Sequence, residues 1–306
     1  MINGIINVCK EQGFTSHDVV AKLRRILSQK KIGHTGTLDP DAIGVLPVCL
    51  GNATKLCDML TDKNKTYEAV LLLGKTTDTQ DISGTVLSEC DVTVSKEDIE
   101  AAILGFVGEE YDQLPPMYSA IKVGGKRLYE LARQGIEVER ETRKVCIHSI
   151  KILDIKEDCH EVRFLVSCSK GTYIRTLCQD IGEKLQCGGC MKSLIRTKVG
   201  SFLLENSLKL SDIEEKLRND ELTGYIVKTE DMFPSYSKVK IDTLYSKYIY
   251  NGNSFPPSYI ESTEEMSEDT NGLTLPVRVY DWQNIFIGIY EYNADETLYK
   301  PVKMFL

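Results

Sequence analysis

Residues 33–47, GHTGTLDPDAIGVLP, gather residue types that could do chemistry: two carboxylates, a histidine, three glycines and two prolines. Asp39 precedes Pro40, which biases its backbone toward an extended conformation. The glycines permit conformations closed to other residues and allow a ligand to approach the backbone closely. Such a loop could hold one carboxylate outward for catalysis. Alternatively, Asp39 and Asp41 could be turn residues that satisfy nearby amides, as most loop aspartates do.

Other common catalytic patterns are absent from the sequence. It has no Gly-rich phosphate loop, no metalloprotease motif and no G-x-S-x-G element. Cys187 and Cys190 form a single CxxC without a second Cys/His pair at metal spacing, so we expect no metal and two incidental cysteines in a turn. The ten irregularly spaced cysteines predict free thiols and a cytoplasmic protein. No segment resembles a signal peptide or a membrane span.

The charge is unevenly distributed along the 306 residues, whose formal net charge is −8. Residues 1–75 and 115–200 carry +3 and +6, whereas residues 76–114 and 201–306 carry −9 and −8. Binding of a polyanion depends on the local field and not on the total charge. The pattern is therefore compatible with a basic cleft that holds nucleic acid.

The elements that must position the loop follow from periodicity and capping signals. We expect a strand over 4–9, then a helix after Thr15, which has a capping-box partner in Asp18. A second capping box predicts another helix after Ser95. The same kinds of signal predict helices over 52–60 and 171–185, and strands over 66–75 and 191–204. Strands over 143–156 and 160–169 should form a hairpin. Near the C-terminal end we expect a solvated loop over 261–269 and three strands after 274. Mixed elements without a regular βαβ alternation predict the α+β class.

The loop becomes recognisable when it is read with its neighbours. GHTGTLDPDAIGVLPVCLGNATK resembles the signature of the TruB family of tRNA pseudouridine-55 synthases. Further blocks resemble that family in the same order: INVCKEQGFTSHDVV, KTYEAVLLLGKTTDTQDISG, LPPMYSAIKVGGKRLYELARQG, GTYIRTLCQDIG and LIRTKVGSF. They span roughly residues 4–205, with Glu11 where the family has proline. The resemblance implies a catalytic domain over 1–234 with a mixed, largely antiparallel sheet, an RNA-clamping insertion at 115–145, and a small PUA-like β domain over 235–306.

The same resemblance implies a set of site residues. Asp39 is the catalytic carboxylate, Arg175 its cationic partner, and Tyr67 the ring that stacks on the flipped base. His34 positions RNA, Tyr173 packs around the catalytic pair, and Leu194 walls the uracil pocket. Asp41 remains a turn residue. Phosphate contacts are expected from Lys10, Lys55, Lys122, Lys126, Arg127 and Arg196.

The implied reaction converts uridine 55 in the T arm of tRNA to pseudouridine without metal or organic cofactor. The expected partner is tRNA, with no membrane and no obligate protein partner, for a monomer that also assists tRNA folding. Whether the carboxylate attacks C1′, adds at C6 or abstracts a ribose proton stays open. Two other classes also remain: a non-catalytic RNA-binding or tRNA-folding protein that uses the same cleft, and a nucleoside or glycoside hydrolase, which would need a second catalytic carboxylate.

Overall fold

A central mixed sheet organises the chain up to residue 227. The computed structural model describes residues 1–108, 110–156, 160–264 and 276–306. Its strands are β1 (Gly4–Lys10), β2 (Ile32–His34), β3 (Ile43–Leu50), β4 (Lys65–Leu73), β5 (Lys75–Thr77), β6 (Val86–Glu89), β7 (Glu110–Gln113), β8 (Lys122–Val123), β9 (Lys126–Arg127), β10 (Arg143–Lys156), β11 (Glu161–Cys168), β12 (Gly189–Val199), β13 (Phe202–Leu203), β14 (Ile226–Val227), β15 (Lys238–Ile241), β16 (Ile260–Glu264), β17 (Val277–Tyr280), β18 (Phe286–Asn293) and β19 (Leu298–Met304). Its helices are α1 (Ser16–Ile26), α2 (Cys57–Thr61), α3 (Lys96–Leu104), α4 (Leu128–Ala132), α5 (Ile174–Lys184), α6 (Leu210–Arg218) and α7 (Ser246–Ile249).

The ten-stranded sheet has the order β14-β1-β3-β12-β4-β11-β10-β7, with β2 beside β3 and β13 beside β12. Strands β12 and β3 pair in parallel, and the long neighbours β4, β11 and β10 pair antiparallel. This arrangement confirms the expected α+β class and the mixed, largely antiparallel sheet. The parallel step brings the start of β3 beside the middle of β12. The loop between β2 and β3 therefore ends next to β12, near the middle of the strand order.

Local signals in the sequence produced several elements as expected. The Thr15 side chain accepts a hydrogen bond from the Asp18 amide at 3.1 Å, and the Asp18 carboxylate accepts one from the Thr15 amide at 2.9 Å. This capping box starts α1, whose buried face includes Val19 and Leu23. Ser95 and Asp98 start α3 in the same way. In β4 the side chains alternate regularly, with odd-numbered residues buried, so Tyr67 points into the core.

Two predictions were only partly right. The segment predicted as one helix over 52–60 is a 3-10 helix over Gly51–Leu56 followed by the short α2. The loop predicted over 261–269 is wrong for residues 261–264, which form most of β16. Ion pairs from β15 hold this polar edge strand, with Lys240 2.8 Å from Glu261 and Lys238 3.3 Å from Glu264. Residues 265–269 lie outside the described residues.

A second sheet forms the C-terminal part of the chain in the order β16-β15-β17-β18-β19. It packs against the first sheet through a shared apolar cluster that includes Leu56, Phe233, Ile289 and Phe305. The boundary near residue 235 stays a prediction. Within the described part of the chain, no helix is both long enough and apolar enough to cross a membrane.

Candidate active site

Hydrogen bonds to other segments of the chain fix the loop from Thr35 to Ala42. The buried Ser16 hydroxyl accepts a hydrogen bond from the Leu38 amide at 2.9 Å. The Pro40 carbonyl accepts from the Lys10 ammonium at 3.0 Å and from the Gly13 amide at 2.9 Å. Residues on both sides of Asp39 are thus held by α1 and the end of β1. The loop presents its carboxylate from a backbone with little freedom to move.

Asp39 and Arg175 form a two-pronged ion pair. Arg175 Nε lies 2.9 Å from Asp39 Oδ2, and Arg175 Nη2 donates to Asp39 Oδ1 at 3.3 Å. The Arg175 side chain is 6% exposed whereas that of Asp39 is 37% exposed, so the carboxylate keeps an open side. The guanidinium also donates to the Thr79 carbonyl at 3.0 Å and to the Tyr118 carbonyl at 2.9 Å. Bidentate pairing of this kind fixes orientation as well as charge.

The sequence analysis missed Asp81, a second carboxylate on the same guanidinium. Asp81 Oδ2 lies 3.8 Å from Arg175 Nη1. Its other oxygen accepts hydrogen bonds from the Thr79 hydroxyl at 2.8 Å and from the Ser83 amide at 3.0 Å. The block KTTDTQDISG, which resembles the family, contains Asp81. It also contains Asp78, and nothing in the sequence distinguishes the two aspartates from ordinary residues of a polar loop.

Opposing effects act on the Asp39 carboxyl. Burial raises its pKa above the ordinary 3.8, and the negative charge of Asp81 adds to that rise. The Arg175 guanidinium and the Lys10 ammonium act in the opposite direction and favour the anion. The ionised state of Asp39 therefore depends on its cationic neighbours, chiefly Arg175.

An apolar wall lies beside this pair. Tyr67 is 7% exposed and belongs to the same packed cluster as Leu38, Ala42 and Leu194. Burial raises the pKa of Tyr67 to about 12, so its hydroxyl stays neutral at physiological pH. Leu194 lies on β12 opposite Ala69 of β4. The structure therefore brings together the loop, the predicted stacking tyrosine and the predicted wall leucine.

Two further predicted residues lie around the loop. His34 ends β2, its Nδ1 accepts from the Gly36 amide at 3.3 Å, and its ring meets His17 edge-on with centroids 5.2 Å apart. Burial lowers the pKa of His34 to about 4, with His17 and Arg196 adding to the effect. The imidazole is therefore neutral at physiological pH.

Tyr173 precedes α5 and is held by the buried Gln113, which the sequence analysis also missed. The Tyr173 amide donates to Gln113 Oε1 at 2.7 Å, and Gln113 Nε2 donates to the Tyr173 carbonyl at 3.0 Å. No sequence signal distinguished this glutamine, because its role depends on the contact between β7 and the start of α5.

The residues expected to contact phosphate fall into two groups. Lys10 is fully buried and donates to the carbonyls of Glu11, Phe14 and Pro40 at 3.1, 2.7 and 3.0 Å. Arg196 is 1% exposed and also donates to carbonyls. Burial of both cations does not fit a contact with phosphate, because their donors are already used inside the protein. Burial lowers the pKa of Lys10 to about 8.

The other predicted cations are nearer the surface. Lys55 is partly buried and donates to the Leu306 carbonyl at 3.1 Å. Lys122, Lys126 and the half-buried Arg127 form the two-stranded hairpin β8–β9. A Gly-Gly turn joins these strands, with positive φ angles of 58° and 84° at Gly124 and Gly125. Asp41 is exposed.

The cysteines that the structure describes are all free, and Cys187 and Cys190 are both buried. Among the described residues, no group of three or more His, Cys, Asp or Glu side chains is arranged to hold a metal ion.

Comparison with known proteins identifies the family of the chain. A family model described as TruB family pseudouridylate synthase (N terminal domain) matches residues 24–174, and one for the tRNA pseudouridylate synthase B C-terminal domain matches residues 175–233. A tRNA pseudouridine synthase B of Lachnoclostridium phytofermentans is 56% identical over 311 residues, with 100% of both chains covered. One of Clostridium perfringens is 44% identical over 306 residues, covering 100% of this chain and 99% of the relative.

Solved structures give the same result for the fold. A chain of a Cbf5-Nop10-Gar1 complex superposes with a TM-score of 0.71 at 26% identity, covering 99% of this chain and 85% of that chain. A chain of an H/ACA RNP bound to a substrate RNA containing 2'-deoxyuridine gives 0.69 at 25% identity, covering 99% and 85%. The full-length identity to pseudouridine synthases and the two consecutive family matches lead to one conclusion: the chain belongs to the TruB family of pseudouridylate synthases.

Proposed function

We propose that this chain is a tRNA pseudouridine-55 synthase, an isomerase that converts uridine 55 in the T arm of tRNA to pseudouridine. Its full-length similarity to tRNA pseudouridine synthases B supports the activity and the tRNA substrate. The observation that carries the chemistry is the bidentate Asp39–Arg175 pair on a loop anchored at both sides.

The reaction is an isomerisation whose atoms balance within the substrate. The N1–C1′ bond breaks, the base rotates, and a C5–C1′ bond forms as C5 loses a proton and N1 gains one. An ionised, aimed carboxylate serves this chemistry as nucleophile or base. In this chain Arg175 supplies both the charge that favours the Asp39 anion and the fork that orients it.

The target base must leave the RNA stack to reach Asp39. Extrusion costs roughly a few kcal/mol, and stacking on an aromatic side chain recovers about 1–3 kcal/mol. Tyr67 is positioned for that stacking by its apolar neighbours, and neutral His34 borders the same loop without adding charge. The exposed lysines of the β8–β9 hairpin belong to the proposed RNA-clamping insertion at 115–145. They are free to approach the phosphate backbone.

The hydrolase alternative requires a second carboxylate, and the structure supplies one whose contacts do not suit a general acid. Asp81 is a second carboxylate near Asp39, as that alternative requires. However, Asp81 Oδ1 accepts hydrogen bonds from the Ser83 hydroxyl and amide and from Thr79. These contacts engage Oδ1 within its own loop, and Oδ2 lies 3.8 Å from Arg175 Nη1, whereas the general acid of a glycoside hydrolase must reach the leaving group. We therefore assign Asp81 to the orientation of Arg175.

The experiment that tests the activity is mass-spectrometric mapping of pseudouridine in tRNA treated with the purified protein. We expect one new pseudouridine, at position 55, in wild-type reactions. Tritium release from C5-labelled uridine then measures Asp39→Asn, for which we expect at least a thousandfold loss of rate, roughly, with tRNA binding retained. Substantial turnover by Asp39→Asn would remove Asp39 from the catalytic role.

The same variant separates catalysis from a tRNA-folding activity, which we propose accompanies it. If binding and folding act through the surface alone, Asp39→Asn accelerates refolding of a misfolded tRNA as well as the wild type does. A folding activity that disappears together with pseudouridine formation would contradict this part of the proposal.

A further inference from the structure

Arg196 is a fully buried cation that the proposed reaction does not yet use. It lies on β12 and is 1% exposed. Its Nε donates to the Val45 carbonyl at 2.7 Å, its Nη1 to the Thr37 carbonyl at 3.2 Å and its Nη2 to the Gly36 carbonyl at 3.4 Å. All three nitrogens of the guanidinium therefore end on the loop that carries Asp39 or on the strand that follows it.

The position of Arg196 in the sheet explains this reach. Arg196 is paired with Gly44 of β3 on one side and with Tyr67 of β4 on the other. A Cβ on Gly44 would lie 2.2 Å from the Arg196 carbonyl oxygen, so the two backbones approach as closely as glycine allows. Arg196 thus stands between the strand entered from the catalytic loop and the strand that carries the predicted stacking residue.

The side chain also lies beside that residue. Arg196 and Tyr67 face each other across the β12–β4 pair, and the Arg196 guanidinium acts against the rise that burial causes in the Tyr67 pKa. One rigid planar group therefore holds the Gly36 and Thr37 carbonyls next to Tyr67. A lysine ammonium could not reproduce this geometry, since it is a point charge without a fixed fork.

Burial of this cation is costly, and its acceptors are neutral oxygens. A buried charge that lacks a paired carboxylate destabilises the protein unless hydrogen bonds compensate it. The negative charge of Asp39 favours the protonated guanidinium. A buried aliphatic residue would fill the same space without this cost. The presence of a guanidinium is therefore explained by the carbonyls of Gly36, Thr37 and Val45 that it binds.

We propose that Arg196 is a positioning residue that couples the Asp39 loop to Tyr67. It keeps the carboxylate and the stacking ring in one fixed relation, so that a base seated on Tyr67 meets Asp39 in reactive geometry. This inference rests on the proposed synthase activity. It replaces the phosphate contact expected from the sequence.

The test uses the full-length protein and intact tRNA, with three single variants and one double variant. Arg196→Lys keeps the charge and removes the fork, Arg196→Met removes both, and Tyr67→Phe removes only the hydroxyl of the residue opposite Arg196. The double variant combines Arg196→Lys with Tyr67→Phe. Lys198→Met, at an exposed position on the same strand, is the matched control. For each protein we measure the single-turnover rate of pseudouridine formation, the tRNA dissociation constant and the melting temperature.

We expect Arg196→Lys to lower the single-turnover rate by about 10- to 100-fold, the loss typical of a charge-assisted hydrogen bond. The tRNA dissociation constant stays near the wild-type value, and Lys198→Met behaves as wild type. We also expect the Arg196→Lys and Tyr67→Phe effects to be less than multiplicative when combined, because both change the same pair of neighbouring residues.

Several outcomes overturn the inference. A wild-type rate in Arg196→Lys, or multiplicative effects in the double variant, would show that no coupling exists. A weakened tRNA affinity with an unchanged rate would restore the phosphate contact. If both Arg196 variants fail to fold, Tyr67→Phe decides alone: a wild-type rate there overturns the proposal. Absence of pseudouridine with the wild-type protein defeats the proposed function instead, and so the two failures are distinguishable.

Discussion

At the scale of single residues, Arg175 controls both the direction and the charge of the Asp39 carboxylate. Burial raises the pKa of Asp39, and Arg175 is the largest opposing influence. Replacing Arg175 with Gln removes that opposition, so the pKa of Asp39 rises further. Because the reaction uses the anion, the acidic limb of the pH–rate profile should move to higher pH in Arg175→Gln. Single-turnover rates across pH 5 to 9, roughly, measure the shift.

The control is Arg163→Gln. Arg163 is an arginine of β11 whose side chain is 52% exposed and which pairs with Glu68 at 3.5 Å. Its profile should match that of the wild type. A lowered rate in Arg175→Gln with an unmoved acidic limb would show that Arg175 orients Asp39 without tuning its charge.

Two substitutions of Tyr67 test whether its ring stacks on the flipped base. Tyr67→Phe keeps the ring and Tyr67→Leu removes it, so only the second variant loses the stacking energy of about 1–3 kcal/mol. We expect Tyr67→Leu to bind an RNA that carries a flipped-base analogue about 5- to 150-fold more weakly than Tyr67→Phe does. Equilibrium titration with a fluorescent RNA measures both. Equal affinities of the two variants would argue against stacking.

Some site residues could be predicted from the sequence, and the burial of others could not. The order of motifs led to Asp39, Arg175 and Tyr67, which the structure brings to one place. The same reasoning expected phosphate contacts from Lys10 and Arg196, which the structure buries. Their burial follows from contacts between segments far apart in the chain, such as the 151 residues between Arg196 and Val45. Local composition does not encode such contacts.

At the scale of elements, the β8–β9 hairpin offers the exposed charges of the insertion. Lys122 and Lys126 are exposed on its two strands. If each contacts a phosphate, Lys122→Glu and Lys126→Glu weaken tRNA binding and reduce the slope of log K against log salt by about 0.7–0.9 each. Titrations at several salt concentrations measure the slope. Lys96→Glu, at an exposed position on α3, should leave it unchanged.

Helix α5 carries a half-buried acid, Asp180, outside the Asp39–Arg175 pair. Burial raises the pKa of Asp180 to about 7 from an ordinary 3.8, and Glu183 adds to the rise. A carboxyl whose folded pKa is raised destabilises the protein progressively as pH rises from its unfolded pKa to its folded pKa. Asp180→Asn removes that penalty. We expect its melting temperature to exceed that of the wild type by more at pH 8 than at pH 5.

Differential scanning fluorimetry at the two pH values provides this measurement. The same comparison for Glu214→Gln, at an exposed position on α6, serves as the control. An equal gain for Asp180→Asn at pH 5 and pH 8 would mean that Asp180 is not protonated in the folded protein near neutral pH.

Elements with strong local signals were predicted well, and those that depend on partners were not. The capping boxes before α1 and α3 form as expected, because their hydrogen bonds join residues three apart. Strand β16 escaped prediction because its residues are polar and its order comes from pairing with β15. The parallel pairing of β3 with β12 likewise joins residues about 150 apart in sequence. No local pattern indicates it.

At the scale of the whole molecule, the C-terminal sheet is bound to the catalytic part through one apolar cluster. Phe305 is 5% exposed and packs beside Phe233 and Phe286, with ring centroids 6.2 and 5.4 Å away. The same cluster includes Leu56 and Leu60, from the segment that follows β3. Thr61, at the end of α2, donates to the Thr35 carbonyl of the catalytic loop at 2.9 Å. The C-terminal sheet therefore supports the segment that supports the loop.

This continuity predicts how the molecule unfolds. Removing the Phe305 ring leaves a cavity in the shared cluster and costs about 3–5 kcal/mol. Because the cluster joins both sheets, Phe305→Ala should lower the stability of the catalytic part as well as that of the C-terminal sheet. Val302→Ala, at a 53% exposed position on the preceding strand β19, should change little. Urea unfolding followed by pseudouridine-forming activity and by fluorescence of Trp282, in the turn between β17 and β18, tests this. Loss of the fluorescence signal at lower urea than in the wild type, with activity lost at the wild-type midpoint, would show instead that the two parts unfold independently.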